Sequence, residues 1–297
     1  MDEASSRFVD RIAVEKLVTE KLSRVRHRPE QLGRGPAALP RPAPDGVQLH
    51  SFPAESPRGT VLFAHGLYES AREMYGFLFS GLRRLGYSVE LYTLPYHYER
   101  KPAESLFSGE YFFSADLART RLAFLQAVEE LRACLRRLRR ERGHPVYLAG
   151  FSMGGAITLL LAASLPALEG ACVINPPANF PELVWRSPLC STIRADLERA
   201  GADRSDVAAW FRDIDPLHVR GGAANRERVL LVQALYDLVT AQEQYEELAR
   251  AWGFRHRTVY PAGHLNTLRV PRLADDIARF FDGLSGASGG AADEACS

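Results

Sequence analysis

The chain has 297 residues, 46% hydrophobic and 25% charged, enough to bury one large core or two modest ones. Its 37 Lys+Arg against 36 Asp+Glu leave a net charge of +1, so no general positive field draws it to nucleic acid or an anionic membrane, and neither is expected as a partner. The longest apolar run, 156–165, is broken by Thr158 and Ser164 and falls short of the roughly 18 to 20 residues that span a bilayer, so no transmembrane segment is expected.

In chain order, Met1-Asp2-Glu3-Ala4 lacks the basic and apolar regions of a signal peptide, which makes a cytoplasmic location the expectation. Phe8, Ile12, Val14, Leu17, Val18, Leu22 and Val25 then recur at helical spacing and predict an amphipathic helix over 7–25. A helix packed on its own protein is preferred to one lying on a membrane surface or a partner. Pro36, Pro40, Pro42 and Pro44 mark 33–46 as an extended linker, so 1–45 reads as an N-terminal helix and linker.

From 46 onward the pattern alternates. Strands are predicted over 47–52, 60–64, 88–92, 146–149, 171–174, 229–233 and 256–260, and helices over 71–85, 115–141, 153–165, 241–252 and 271–284. Strands bounded by helices, some apolar on both faces, predict an α/β architecture with a doubly wound, mostly parallel sheet over 46–284. Two stretches interrupt it: an aromatic, turn-rich segment over 93–113 and a long insertion over 175–226, which is read as a cap. Arg132, Arg136, Arg137, Arg139, Arg140 and Arg142 concentrate positive charge at one helix end, where a solvated face complementing the helix dipole explains them better than a polyanion site. The Gly/Ala/Ser-rich tail, 285–297, is expected to be disordered. The cysteines Cys134, Cys172, Cys190 and Cys296 form no CxxC pair, so neither a disulfide framework nor a metal site is expected.

Gly-x-Ser-x-Gly occurs twice, and context separates the two copies. Gly286-Ala287-Ser288-Gly289-Gly290 lies in the glycine-rich tail with no strand before it. Gly150-Phe151-Ser152-Met153-Gly154 follows a predicted strand and opens a predicted helix, the setting of a nucleophile elbow. Such a turn strains the serine backbone, and glycines two residues to either side relieve crowding by the neighbouring strand and helix.

With these residues the chain resembles the α/β-hydrolase superfamily over roughly 45–284. The resemblance implies an α/β-hydrolase fold and an acid and a histidine on later loops. Asp237 follows the strand at 229–233, and His264 follows the one at 256–260. In these roles His264 would take the proton of Ser152 and Asp237 would fix the imidazole tautomer and stabilise the imidazolium. Asp213 and Asp215 would compete for the acid's role only if the strand boundaries were wrong.

The family's oxyanion hole carries over to the backbone N–H groups of Leu67, after His65-Gly66, and Met153. His65 reads as a structural hydrogen bonder, and no Gly-Gly-Gly run follows it. Asp215-Pro216-Leu217-His218 is similar to a run in prolyl-oligopeptidase-like and dienelactone-hydrolase-like members. Residues 95–102, Pro-Tyr-His-Tyr-Glu-Arg-Lys-Pro, are similar to a run in the α/β-hydrolase-domain group numbered eighteen.

The loop after the strand at 88–92 should reach the same sheet edge as Ser152, which makes Tyr96, His97 and Arg100 candidate substrate-binding residues. A solvated loop with an ion pair to Glu99 is the plainer reading of its charges. Phe107, Tyr111, Phe112, Phe113, Phe180, Leu183 and Trp185 could supply an apolar wall. The resemblance implies a serine hydrolase acting on a small carboxylic ester or other acyl substrate, with no cofactor. Amidase, peptidase or acyltransferase chemistry on the same residues stays open, as does a non-catalytic binding scaffold, and the oligomeric state is unspecified.

Overall fold

A computed structural model describes residues 3–20, 47 and 49–293; the expected linker, residues 21–25 of the first helix and Cys296 lie outside them. Runs of aliphatic and β-branched residues pair into one sheet: β1 (Leu49–Phe52), β2 (Gly59–Ala64), β3 (Tyr87–Tyr92), β4 (Val146–Phe151), β5 (Ala171–Ile174), β6 (Val229–Ala234) and β7 (His256–Tyr260). Among the described residues the order is β1-β3-β2-β4-β5-β6-β7, with β1 antiparallel to β3 and every other pair parallel. The doubly wound, mostly parallel sheet is the predicted one.

The helices are α1 (Glu3–Glu20), α2 (Gly76–Arg84), α3 (Leu117–Glu141), α4 (Met153–Ser164), α5 (Phe180–Arg186), α6 (Ser191–Arg199), α7 (Arg204–Phe211), α8 (Ala223–Arg226), α9 (Gln242–Trp252) and α10 (Leu273–Asp293). Successive strand residues point to opposite faces, so each central strand feeds two cores. Leu62, Leu148 and Leu231 pack with Phe124, Leu131, Ile157 and Trp252 of α3, α4 and α9. Val61, Phe63, Tyr147 and Leu230 pack on the other face with Leu78, Phe79 and Phe281 of α2 and α10. Burial on both faces explains why these strands are almost uniformly apolar.

Several boundaries differ from expectation for local reasons. The helix expected from 71 opens as a 3-10 turn, Arg72–Tyr75, before α2. The tail expected to be disordered from 285 is helical to Asp293. No proline stops α10 after 284, and its buried Leu273, Ile277 and Phe281, at about 1.5 to 3 kcal/mol per large side chain, anchor a helix whose glycine-bearing end has weak propensity of its own. The arginine-rich end of α3 is partly neutralised within the molecule: Arg132, Arg139 and Arg142 pair with Glu129, Glu169 and Glu90. Cys134, Cys172 and Cys190 are free and buried.

The register decides where chemistry can gather. Ala64 lies beside Gly150, Phe151 beside Ile174 and Ala234 beside Tyr260. Because these strands are parallel, the segments after β2, β4, β5, β6 and β7 all leave from one edge of the sheet, where ligands bind in open α/β folds.

Candidate active site

Ser152 sits between β4 and α4 with φ 52° and ψ −123°, a left-handed backbone that a non-glycine residue adopts at a cost of about 1 to 2 kcal/mol. The surroundings hold it there. Its N–H donates to the Ile174 carbonyl (2.8 Å), and its carbonyl accepts from the Ala156 N–H (3.1 Å). Two residues on, a β-carbon at Gly154 would overlap the carbonyl oxygens of Ala64 and His65 at the end of β2, so glycine alone allows this approach.

The edge brings Ser152, His264 and Asp237 together. His264 Nε2 lies 2.9 Å from Ser152 Oγ, and its Nδ1 lies 2.6 Å from Asp237 Oδ2. Asp237 is itself fixed: Oδ1 accepts from the N–H groups of Val239 (2.7 Å) and Thr240 (2.9 Å), and Oδ2 accepts from the Tyr245 hydroxyl (2.6 Å). Tyr245, on α9, was not singled out in the sequence. The His264 carbonyl accepts from Asn175 Nδ2 (2.8 Å) just past β5. Burial disfavours the imidazolium of His264, but the charge and hydrogen bond of Asp237, reinforced by Asp10 and Glu69, outweigh it and raise the pKa.

The competing acids lie elsewhere. Asp213 pairs with Arg121, and Asp215 accepts from the N–H groups of Asn179, Phe180 and Leu217, tying down the start of α5.

A cavity of about 80 Å³ opens over Ser152, lined by Leu67, Phe113, Phe151, Met153, Leu183, Leu189, Val239 and Leu265. Leu67 and Met153 are among its lining residues. Of the expected aromatic wall only Phe113 reaches it, with Leu183 from the insertion; Phe112 and Phe180 pack into the core instead. From the other end of the chain come Asp10, Ala13 and Val14 of α1. Among the described side chains of that helix, the buried ones, Ser6, Asp10 and Val14, recur every four positions and face the protein itself.

His65 is fully buried, with Nδ1 on the Gly66 carbonyl (2.7 Å) and Nε2 accepting from the Leu94 N–H (3.0 Å), and burial pushes its pKa well down. Glu69, absent from the sequence reading, lies beside it at the cavity. Its carboxylate accepts from the Gly66 N–H (2.9 Å) and from the hydroxyls of Tyr75 and Tyr98. Burial raises its pKa to about 7 although these three donors favour the charged form.

Tyr96, His97 and Arg100 do not line the cavity. The segment after β3 folds back on the body of the protein. His97 is buried between the Pro95 carbonyl and the Tyr68 N–H, and burial lowers its pKa to about 3. Tyr96 packs its ring edge against Tyr111. Arg100 forms a two-pronged pair with the buried Glu130 of α3 (2.6 and 2.9 Å), whose carboxylate also accepts from Tyr92 and Gln126, while Glu99 pairs with Arg72 and His50. Arg100→Met therefore strands a buried carboxylate, and a loss of about 3 kcal/mol in urea-denaturation stability is expected, partly recovered by adding Glu130→Gln.

Among the described residues, no group of three or more His, Cys, Asp or Glu could hold a metal ion, and no helix is long and apolar enough to cross a membrane.

Comparison with known proteins follows the same lines. A family model described as the alpha/beta hydrolase family matches residues 61–285. TT1662 from Thermus thermophilus is a similar solved structure, 20% identical with a TM-score of 0.57, the match covering 80% of this chain and 94% of that one. A soluble variant of monoglyceride lipase from Saccharomyces cerevisiae, bound to a substrate analogue, is 14% identical with a TM-score of 0.53, covering 84% and 99%. A puromycin hydrolase is 18% identical with a TM-score of 0.56, covering 82% of this chain and 38% of that one. At these identities the likeness is one of fold. No curated protein sequence matches the chain.

Proposed function

Because the chain belongs to the alpha/beta hydrolase family, we propose that it is a serine hydrolase that cleaves small carboxylic esters through an acyl-enzyme on Ser152. The observation that carries this reading is the unbroken series from Ser152 through His264 to Asp237, at 2.9 and 2.6 Å, whose first two members line a mostly apolar cavity.

This reading assigns a group to each step. His264 Nε2 takes the hydroxyl proton as Oγ attacks the ester carbonyl, and the Asp237 carboxylate stabilises the imidazolium that forms. The tetrahedral oxyanion is met by the N–H groups of Leu67 and Met153, the latter also at the positive end of α4. His264 then returns the proton to the leaving alcohol. In the second half it activates water against the acyl-enzyme, and the carboxylic acid leaves as Ser152 regains its proton. The lining is mostly apolar and the volume small, which favours short acyl chains: each methylene that fits adds about 0.8 kcal/mol of burial, and those beyond the volume add none.

A fluorophosphonate probe tests this directly. The folded protein is expected to carry one adduct, on Ser152 and not on Ser288, and to turn over p-nitrophenyl acetate or butyrate in preference to the palmitate. Folded protein that takes no adduct on Ser152 would exclude the reading.

A further inference from the structure

His264 is held from both sides of its backbone, and one side belongs to a distant part of the chain. Asn175 takes its carbonyl. On the amide side the carboxylate of Asp10, on α1, accepts from the N–H of His264 through Oδ2 and from the N–H of Leu265 through Oδ1 (3.2 Å). Asp10 is 1% exposed and lines the cavity with His264 and Leu265. Its seat exists because residue 263 is glycine: a β-carbon there would overlap the carboxyl carbon and both oxygens of Asp10. A buried carboxylate that receives two backbone donors beside the imidazole is an expensive group to keep merely to pack a helix.

We propose that Asp10 is a positioning residue for His264: α1 carries its carboxylate to the cavity to hold the backbone of His264 and Leu265, and Nε2 stays within reach of Ser152 only while that hold lasts. The proposal rests on the reading of Ser152 and His264 as nucleophile and base. It places a working residue of the site outside 61–285, the stretch that matches the family model.

The same carboxylate has an electrostatic consequence. The acidic groups facing His264 are Asp237, Asp10 and Glu69, and all three favour the imidazolium. Around Asp10, the nearby α1 cations Arg7 and Arg11 are occupied by Glu3 and Glu15, and the charge of Asp237 acts on it across the site. Removing the charge of Asp10 therefore lowers the pKa of His264, and the base form persists to lower pH.

The test uses the full chain with Asp10→Asn, Ser6→Ala as a control on the same buried face of α1, and Ser152→Ala. Asp10→Asn is expected to lower kcat for p-nitrophenyl butyrate about 10-fold to 100-fold with KM within about twofold, since a base slightly out of place costs rate rather than binding. The acid limb of its kcat/KM profile is expected to move down by about half a pH unit or more. Ser6→Ala removes a buried hydroxyl that has no hydrogen-bond partner and is expected to match the parent. Should Asp10→Asn not fold, Asp10→Ser keeps one acceptor without charge, and the same displacement of the acid limb is expected. An uncharged variant with parental kcat and an unmoved acid limb, alongside an inactive Ser152→Ala, overturns the proposal. An active Ser152→Ala overturns the hydrolase reading on which it rests.

Discussion

Asp237→Asn is expected to lower kcat for p-nitrophenyl esters by about four orders of magnitude while KM stays near its parental value. The reason lies in how the carboxylate is surrounded. Oδ1 faces the N–H groups of Val239 and Thr240, and Oδ2 faces His264 Nδ1 and the Tyr245 hydroxyl. An asparagine must turn its NH2 toward one of these sets. Turned toward the backbone, it opposes two donors that cannot rotate. Turned toward His264, it donates to Nδ1 and leaves the proton on Nε2, the tautomer that cannot accept from Ser152 Oγ. Steady-state kinetics, together with the rate of fluorophosphonate labelling, checks this: both should fall together. A loss below tenfold would mean that another group orients His264.

Gly154→Ala is the second large effect, and it acts on the fold as well as on the chemistry. A β-carbon at 154 meets backbone oxygens of Ala64 and His65, which cannot swing aside as a side chain can. Either α4 moves away from the sheet or the end of β2 is displaced, and overpacking of this kind costs about 3 kcal/mol or more. For a domain of this size that lowers Tm by about 6 to 12 °C. Displacing residues 64–66 also moves the Leu67 N–H, so activity per folded molecule should fall in step with stability. Circular dichroism melting with active-site titration separates the two losses. A variant as stable as the parent would show that the strand and helix can part at no cost.

The sheet was legible because its central strands carry burial on both faces, and runs such as Val229-Leu230-Leu231-Val232 read as nothing else once helices flank them. Ser152 was separable from Ser288 by what lies around it: only the first has a strand before and a turn into a helix after. What could not be read is set by contacts between remote elements. The sheet edge from which its loop leaves makes Arg100 a candidate for the cavity, yet Glu130, 30 residues away on α3, takes its guanidinium. Tyr245, Glu69 and Asp10 carry no motif, and each matters only because packing sets it against a group the motif did identify. Gly263 is the nearest thing to a signal for Asp10, since a glycine immediately before His264 leaves a vacant volume, but the sequence does not say which side chain enters it.

The contact from α1 to His264 spans 254 positions, almost the length of the chain. During synthesis α1 is made before every element it rests on, and its partners past β7 arrive only when the sheet's last strand is in hand. Closing so long a loop adds little to the entropy already lost by forming the sheet, because the cost grows only with the logarithm of length. Helix α1 is therefore an early-made piece whose contact with the backbone of His264 and Leu265 can form only after those residues have been made.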